Sequence, residues 1–191
     1  MTEVEIGWEE RWREFHRPVQ VGPLWIGPPW EQAGSGTLAV VIDPGRAFGT
    51  GAHATTRLCL ELLLELSPGS LLDVGCGSGV LSIAATKLGF APVTAVDSDV
   101  AAVEATRTNA AANGVSLETA QLDALSGDLP TAETAVANIA LVAVEALAPR
   151  LVVDRLITSG YLVRDDPTIA AFVHADRREL DGWAADLYLR A

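Results

Sequence analysis

Cysteine is scarce in this chain. Cys59 and Cys76 are the only two in 191 residues, too few for a zinc cluster or a disulfide framework, and three scattered histidines add no ligand spacing. No metal is expected. Positive charge is scarce as well: Lys plus Arg number 13 against 25 for Asp plus Glu, a formal net charge of −12. Tracking a phosphate backbone requires a basic stripe, so no nucleic-acid partner is expected; an acidic surface suits cationic partners, or serves solubility alone. Long apolar runs are missing too, and the N-terminal MTEVEIGWEERWREF carries charges where a signal peptide needs its apolar core. These absences argue against a membrane partner and against secretion, and point to the cytoplasm. What is present is 49% hydrophobic residues, which excludes disorder, in a length that suits one core-burying domain and falls short of two.

Residues 2–16 read as an acidic helix in which Trp8, Trp12 and Phe15 recur on one face, a stripe that wants a partner surface. Between Arg17 and Gly36 proline and glycine surround Leu24-Trp25-Ile26, a linker or an extra edge strand. The expected organisation is therefore an extension over residues 1–36 and a domain over residues 37–191. From Thr37 short apolar runs alternate with helical spacing: strands at Thr37 to Ile42, Leu71 to Val74, Val93 to Val96, Val115 to Gln121, Ala135 to Asn138 and Arg155 to Ser159. Helices are expected at Thr55 to Leu66, after the glycine turn to Leu88, and at Asp99 to Asn113, Leu141 to Leu151 and Pro167 to Val173. Two strands near Arg177 to Leu180 and Trp183 to Leu189 close the chain as a hairpin. Strands separated by helices predict an α/β, doubly wound, Rossmann-like sheet, mostly parallel, with one antiparallel strand from that hairpin.

Gly75-Cys76-Gly77-Ser78-Gly79 falls between a strand and a helix, where glycine permits a tight turn and close approach of a ligand. Twenty-two residues after Gly75, Asp97 ends the next strand, placed to bind the two hydroxyls of a ribose. Together they predict an adenosine cofactor held by Gly75, Gly77, Gly79 and Asp97. Charge distinguishes which one. A dinucleotide sets a pyrophosphate over the loop, and Asp73, two residues before the first glycine, repels it. S-adenosylmethionine carries an ammonium and a sulfonium instead, so Asp73 favours it, reaching the methionine end directly or through the loop. A carboxylate that merely caps loop amides is the other role open to Asp73.

LLDVGCGSGVLSIAATKLG and TAVDSDVAAVEATRTNAAANGV resemble the first two motifs of class I S-adenosylmethionine-dependent methyltransferases. DPGRAFGTGAHATTRLCLELL, VANIALVAVEALAP and SGYL are more specific. Their order and spacing resemble the ribosomal protein L-eleven methyltransferase family, which methylates amino groups of a ribosomal protein. The entry segment WEERWREFHRPVQVGPLWIGPPWE is similar to that family's interdomain helix and first catalytic strand, so the resemblance runs from about Trp8 to the end. Two departures stand out: His53 is followed by Ala54 where the family commonly has Pro, and the family's separate N-terminal recognition domain is not in this sequence. The resemblance implies the class I seven-stranded fold and cofactor contacts at Thr56, Gly75, Asp97 and Asn138.

Around these positions the residues suggest more. Phe48-Gly49-Thr50-Gly51 offers a loop to close over the methionine end. Thr55 and Thr56 read equally well as helix N-caps, and His53 as a loop or packing residue rather than a base. Asp123 suits the adenine amino group or a solvated turn. Asn138 ends the fourth core strand, where its amide oxygen is expected to aim an attacking amine at the methyl group; its other reading is the N-cap of the following helix. The expected reaction is therefore methyl transfer to an amino nitrogen, of a protein such as a ribosomal protein or of a small-molecule amine. A noncatalytic cofactor-binding subunit is the rival reading, and a dehydrogenase the remaining one. The tetrapeptide Asn138-Ile139-Ala140-Leu141 lacks the proline pair and aromatic used to stack a flipped base.

Overall fold

The structure is a computed structural model that describes residues 17–44, 49 and 51–191. The helix expected over residues 2–16, with Trp8, Trp12 and Phe15, lies outside the described residues.

Ten strands form two sheets. In the smaller, β1 (Val19–Val21) and β2 (Leu24–Gly27) make a tight antiparallel hairpin, and β3 (Leu38–Val41) pairs parallel to β2. Leu24-Trp25-Ile26 is thus the middle strand of a three-stranded sheet. The larger sheet contains β4 (Leu71–Val74), β5 (Val93–Asp97), β6 (Glu118–Gln121), β7 (Thr134–Asn138), β8 (Arg155–Leu162), β9 (Phe172–Leu180) and β10 (Trp183–Arg190). Its order is β6-β5-β4-β7-β8-β10-β9, with parallel pairing from β6 to β8 and β10 antiparallel to both of its neighbours. This is the expected doubly wound sheet with one reversed strand.

The helices are α1 (Ala54–Glu65), α2 (Val80–Lys87), α3 (Val100–Ala112) and α4 (Leu141–Leu147), the last continued by a turn of 3-10 helix over Ala148–Arg150. Alternation along the central strands splits the core in two. Leu71, Val93, Val136 and Ile157 face α1, α2 and Ala110 of α3, whereas Leu72, Val96, Ala135 and Leu156 face Val144 and Leu147 of α4. Val21, Leu24, Ile26, Val40 and Ile42 of the smaller sheet join the first cluster, so α1 and α2 are packed on both sides. Leu58 and Leu62, each 1% exposed, show how fully α1 is enclosed; truncating such a side chain to Ala costs about 2–5 kcal/mol.

The strand expected from Arg177 begins at Phe172 and the one expected to end at Ser159 runs to Leu162, and two further elements differ more. The strand over Val115 to Gln121 begins only at Glu118, because the chain is still closing α3 there: Val115 N–H donates to Ala110 O at 3.1 Å. No helix forms over Pro167 to Val173. Residues 163–171 must cross β10 to reach β9, which starts at Phe172, and they are held to the sheet as an irregular segment. Arg177 Nη2 donates to Val163 O at 3.0 Å and Asp165 O at 2.9 Å, and Leu162 N–H donates to Asp165 Oδ2 at 2.8 Å. Among the described residues no helix is long and apolar enough to cross a membrane, and no group of three or more His, Cys, Asp or Glu could hold a metal.

Candidate cofactor and acceptor site

The chain runs outward from β4 through β5 to β6, then returns to the other side of β4 to lay down β7 and β8. The reversal between β4 and β7 opens a crevice outside the carboxyl ends of these strands, where ligands bind in open α/β sheets. Gly75, Asp97, Asp123 and Asn138 all sit at that edge, on or just beyond β4, β5, β6 and β7.

Gly75, Gly77 and Gly79 have φ of +76°, +55° and +82°. At Gly75 the need is also steric, since a Cβ there would approach Ile139 Cγ2 to 2.5 Å. The amides of this turn point into the protein. Gly75 N–H and Cys76 N–H both donate to Val96 O, at 2.9 and 3.1 Å, and Gly79 N–H donates to Cys76 O at 2.8 Å. Gly77 N–H donates to Asp97 Oδ2 at 3.0 Å. A phosphate-binding loop presents free amides to its anion; here four of them are already spent.

Asp97 is held as a fixed fork. Oδ2 takes the Gly77 amide and Oδ1 the amide of Asp99 at 3.0 Å, which leaves lone pairs on both oxygens for a diol. Asp123 lies beside it, because Leu122 N–H donates to Asp97 O at 2.8 Å. Its carboxylate accepts from Leu125 N at 3.0 Å and Ser126 Oγ at 2.8 Å, and these bonds hold its carboxyl below the usual range. Asp123 therefore closes a turn while standing exposed at the rim.

Asp73 is 1% exposed. Its Oδ2 accepts from Ser82 Oγ at 2.6 Å and Ser82 N at 3.1 Å, so it ties β4 to the first turn of α2. Both of these bonds run to α2, under the glycine turn. Burial pushes its carboxyl up to about 6, against the opposing pull of the Ser82 bonds. Burial, reinforced by the neighbouring Asp73 charge, pushes the Cys76 thiol up to about 12 and raises that of Cys59 further.

On the β7 side, Asn138 Nδ2 lies 3.5 Å from Thr56 Oγ1, joining two expected site residues from distant parts of the chain. That contact orients the amide so that Oδ1 is left as acceptor. The helix-cap readings give way here. Ala140 is the N-cap residue of α4, without a side-chain bond, and His53 rather than a threonine caps α1: its Nδ1 accepts from Thr55 N at 3.4 Å and lies 2.9 Å from Thr55 Oγ1. The His53 ring stands edge-on to Trp183, with centroids 4.9 Å apart. Gly49 is joined to the glycine turn, its carbonyl accepting from the Ser78 hydroxyl. Phe48 and Thr50 lie outside the described residues.

Two contributors were missed in the sequence. Gly160 in β8 has φ +103°, and a Cβ there would run into the Ile139 carbonyl, 2.7 Å from its carbon, so the Asn138-Ile139 turn rests on bare backbone. Asn109 of α3 donates from Nδ2 to Ser78 O at 2.8 Å. The signal for Asn109 was available: a second asparagine, Asn113, follows at i+4 on a helix, a spacing that puts two poor helix formers on one face.

Comparison with known proteins identifies the family and the fold. The family model described as ribosomal protein L11 methyltransferase (PrmA) matches residues 2–175. Ribosomal protein L11 methyltransferases of Azotobacter vinelandii and Symbiobacterium thermophilum are each 43% identical, over 92% and 97% of this chain. The chain spans 65% and 66% of their lengths. The crystal structure of a ribosomal protein L11 methylase from Lactobacillus delbrueckii subsp. bulgaricus superposes with a TM-score of 0.79 at 29% identity, covering 92% of this chain and 99% of that one. An RNA methyltransferase from Salinibacter ruber, 20% identical with a TM-score of 0.58 over 69% of this chain and 89% of its own, shares the fold.

Proposed function

The chain belongs to the ribosomal protein L11 methyltransferase family, and from that premise we propose that it transfers a methyl group from S-adenosylmethionine to an amino nitrogen of a protein, ribosomal protein L11 being the acceptor its relatives' names suggest, in the cytoplasm. The observation that carries the cofactor is the inward orientation of the glycine-turn amides beside the outward fork of Asp97. Such a donor set suits a ribose and an uncharged edge, and offers a pyrophosphate little. The buried Asp73 charge below the turn adds a bias toward cations.

In this reading Asp97 holds the ribose hydroxyls, Asp123 the adenine amino group, and the Gly75–Gly79 turn, Gly49 and Thr56 border the methionine end. Phe48 and Thr50, expected from the sequence to close over the same end, lie outside the described residues. When bound, S-adenosylmethionine supplies a methyl group on a positively charged sulfur, already activated for transfer to a nucleophile. The protein's own task is alignment and exclusion of water. Asn138 Oδ1, freed by the Thr56 contact, accepts an N–H of the incoming amine and fixes the direction of its lone pair. A lysine acceptor must first lose a proton, which at pH 7 costs about 4.6 kcal/mol from its reference pKa. An apolar setting and a neighbouring positive charge reduce that cost, and the proton leaves to water.

The test is label transfer from methyl-labelled S-adenosylmethionine to ribosomal protein L11, with small amines alongside. The expected result is label on amino groups at a rate that rises from pH 6 to 9, and for Asn138→Ala a kcat lower by about 100-fold with cofactor affinity preserved. A flat pH profile contradicts the deprotonation step. Cofactor binding without S-adenosylhomocysteine release from any acceptor supports the noncatalytic rival.

A further inference from the structure

One face of α3, with its C-terminal cap, bonds mostly to main chain. Thr106 Oγ1 donates to Gly77 O at 3.1 Å and lies 3.3 Å from Cys76 Sγ. Asn109 Nδ2 donates to Ser78 O at 2.8 Å while its Oδ1 accepts from Asp43 N at 3.3 Å. One turn further on, Asn113 reads β3 as a neighbouring strand would, with Oδ1 accepting from Val41 N at 2.8 Å and Nδ2 donating to Val41 O at 2.7 Å. Asn109 is 4% exposed, Thr106 is fully buried and Ser78 is 1% exposed, so none of these groups has water as an alternative partner. From Ser78 the path continues: its hydroxyl donates to Gly49 O.

Asn109 thereby grips two stretches of backbone that are far apart in sequence, the glycine turn after β4 and the chain leaving β3. The Ser78 hydroxyl adds a second tie between the same two stretches. The Asn113 side chain, four residues away, bonds to Val41 of β3 and to Asn109 O, and none of its bonds reaches the turn. We propose that Asn109, acting through Ser78, is a positioning residue that sets the glycine turn in register with Asp43 and Gly49, and so sets the width of the methionine end of the crevice. This inference rests on the cofactor reading above and deepens it. Neither side chain is expected to touch the cofactor.

The two asparagines supply the test, because they are the same residue type one turn apart, Asn109 within α3 and Asn113 as its C-terminal cap, one bonded to Asp43 just past β3 and the other to Val41 in it. Asn109→Ala and Asn113→Ala are each expected to lower Tm, since each removes bonds to buried or part-buried main-chain groups. At a temperature where all variants are folded, calorimetric titration with S-adenosylhomocysteine is expected to give a Kd about tenfold weaker for Asn109→Ala, the equivalent of one lost hydrogen bond, and a Kd like that of the unaltered chain for Asn113→Ala. Ser78→Ala, a smaller change that keeps the core filled, is expected to weaken binding in the same direction, and the pair Ser78→Ala with Asn109→Ala to lose less than the product of the single effects. Equal affinities for the two asparagine variants overturn the positioning role. If Asn109→Ala does not fold, unchanged affinity in Ser78→Ala overturns it. No binding by the unaltered chain overturns the cofactor reading and this inference with it.

Discussion

Asp73 ties two elements of the fold together beneath the candidate site. Its carboxylate is enclosed between β4 and α2, with Ser82 as partner, and burial pushes it up to about 6 from an ordinary 3.8. A raised acid pKa means that the folded chain keeps this proton while the unfolded chain gives it up, so between pH 4 and 6 the group's contribution falls as pH rises, by about 3 kcal/mol in all. Asp73→Asn removes that slope. Urea titrations at pH 4 and pH 6 are expected to show the variant gaining on the parent as pH increases; parallel behaviour contradicts a buried carboxylate that titrates late. The sequence placed an acid near the end of β4, but did not show which way it faces. Exposure was illegible because a strand residue before a glycine turn can end in the crevice or under the helix, and only the 2.6 Å bond from Ser82 Oγ decides.

At the scale of elements, the turn after β7 is held from two sides by glycine. Gly75 leaves space for the Ile139 side chain and Gly160 for its backbone, and Thr56 of α1 fixes Asn138 just before it. Gly160→Ala therefore combines a strained positive φ with a clash against main chain that has no room to retreat. The expected outcome is a kcat lower by about 100-fold, from displacement of Asn138, together with a fall in Tm. Activity and Tm like the parent's contradict the support role. Elements were legible where period and punctuation agreed: Leu71–Val74, the glycine turn and α3 stand where the sequence put them. The pattern failed at Pro167 to Val173, where a short apolar spacing mimicked a helix. There the long-range bonds from Arg177 hold residues 163–171 in place, and no local pattern announces a bond to Val163 O or Asp165 O. Asn109 escaped for the same reason, since its partners are main-chain atoms of residues 43 and 78.

For the whole molecule, the net charge of −12 bears on what approaches it. A basic protein acceptor is drawn by that field and a neutral small amine is not, so raising salt from 50 to 500 mM is expected to lower kcat/KM for the protein severalfold and to leave cofactor affinity nearly unchanged. Equal salt dependence for both contradicts steering by charge. The central claim concerns the crevice itself: a glycine turn whose amides face inward, above a buried acid and beside the Asp97 fork, is made for an adenosine ligand without phosphate. Calorimetric titration of the purified protein tests it most directly. Saturable heat with S-adenosylhomocysteine and none with NADH is the predicted result; tight NADH binding with no heat from S-adenosylhomocysteine contradicts the account.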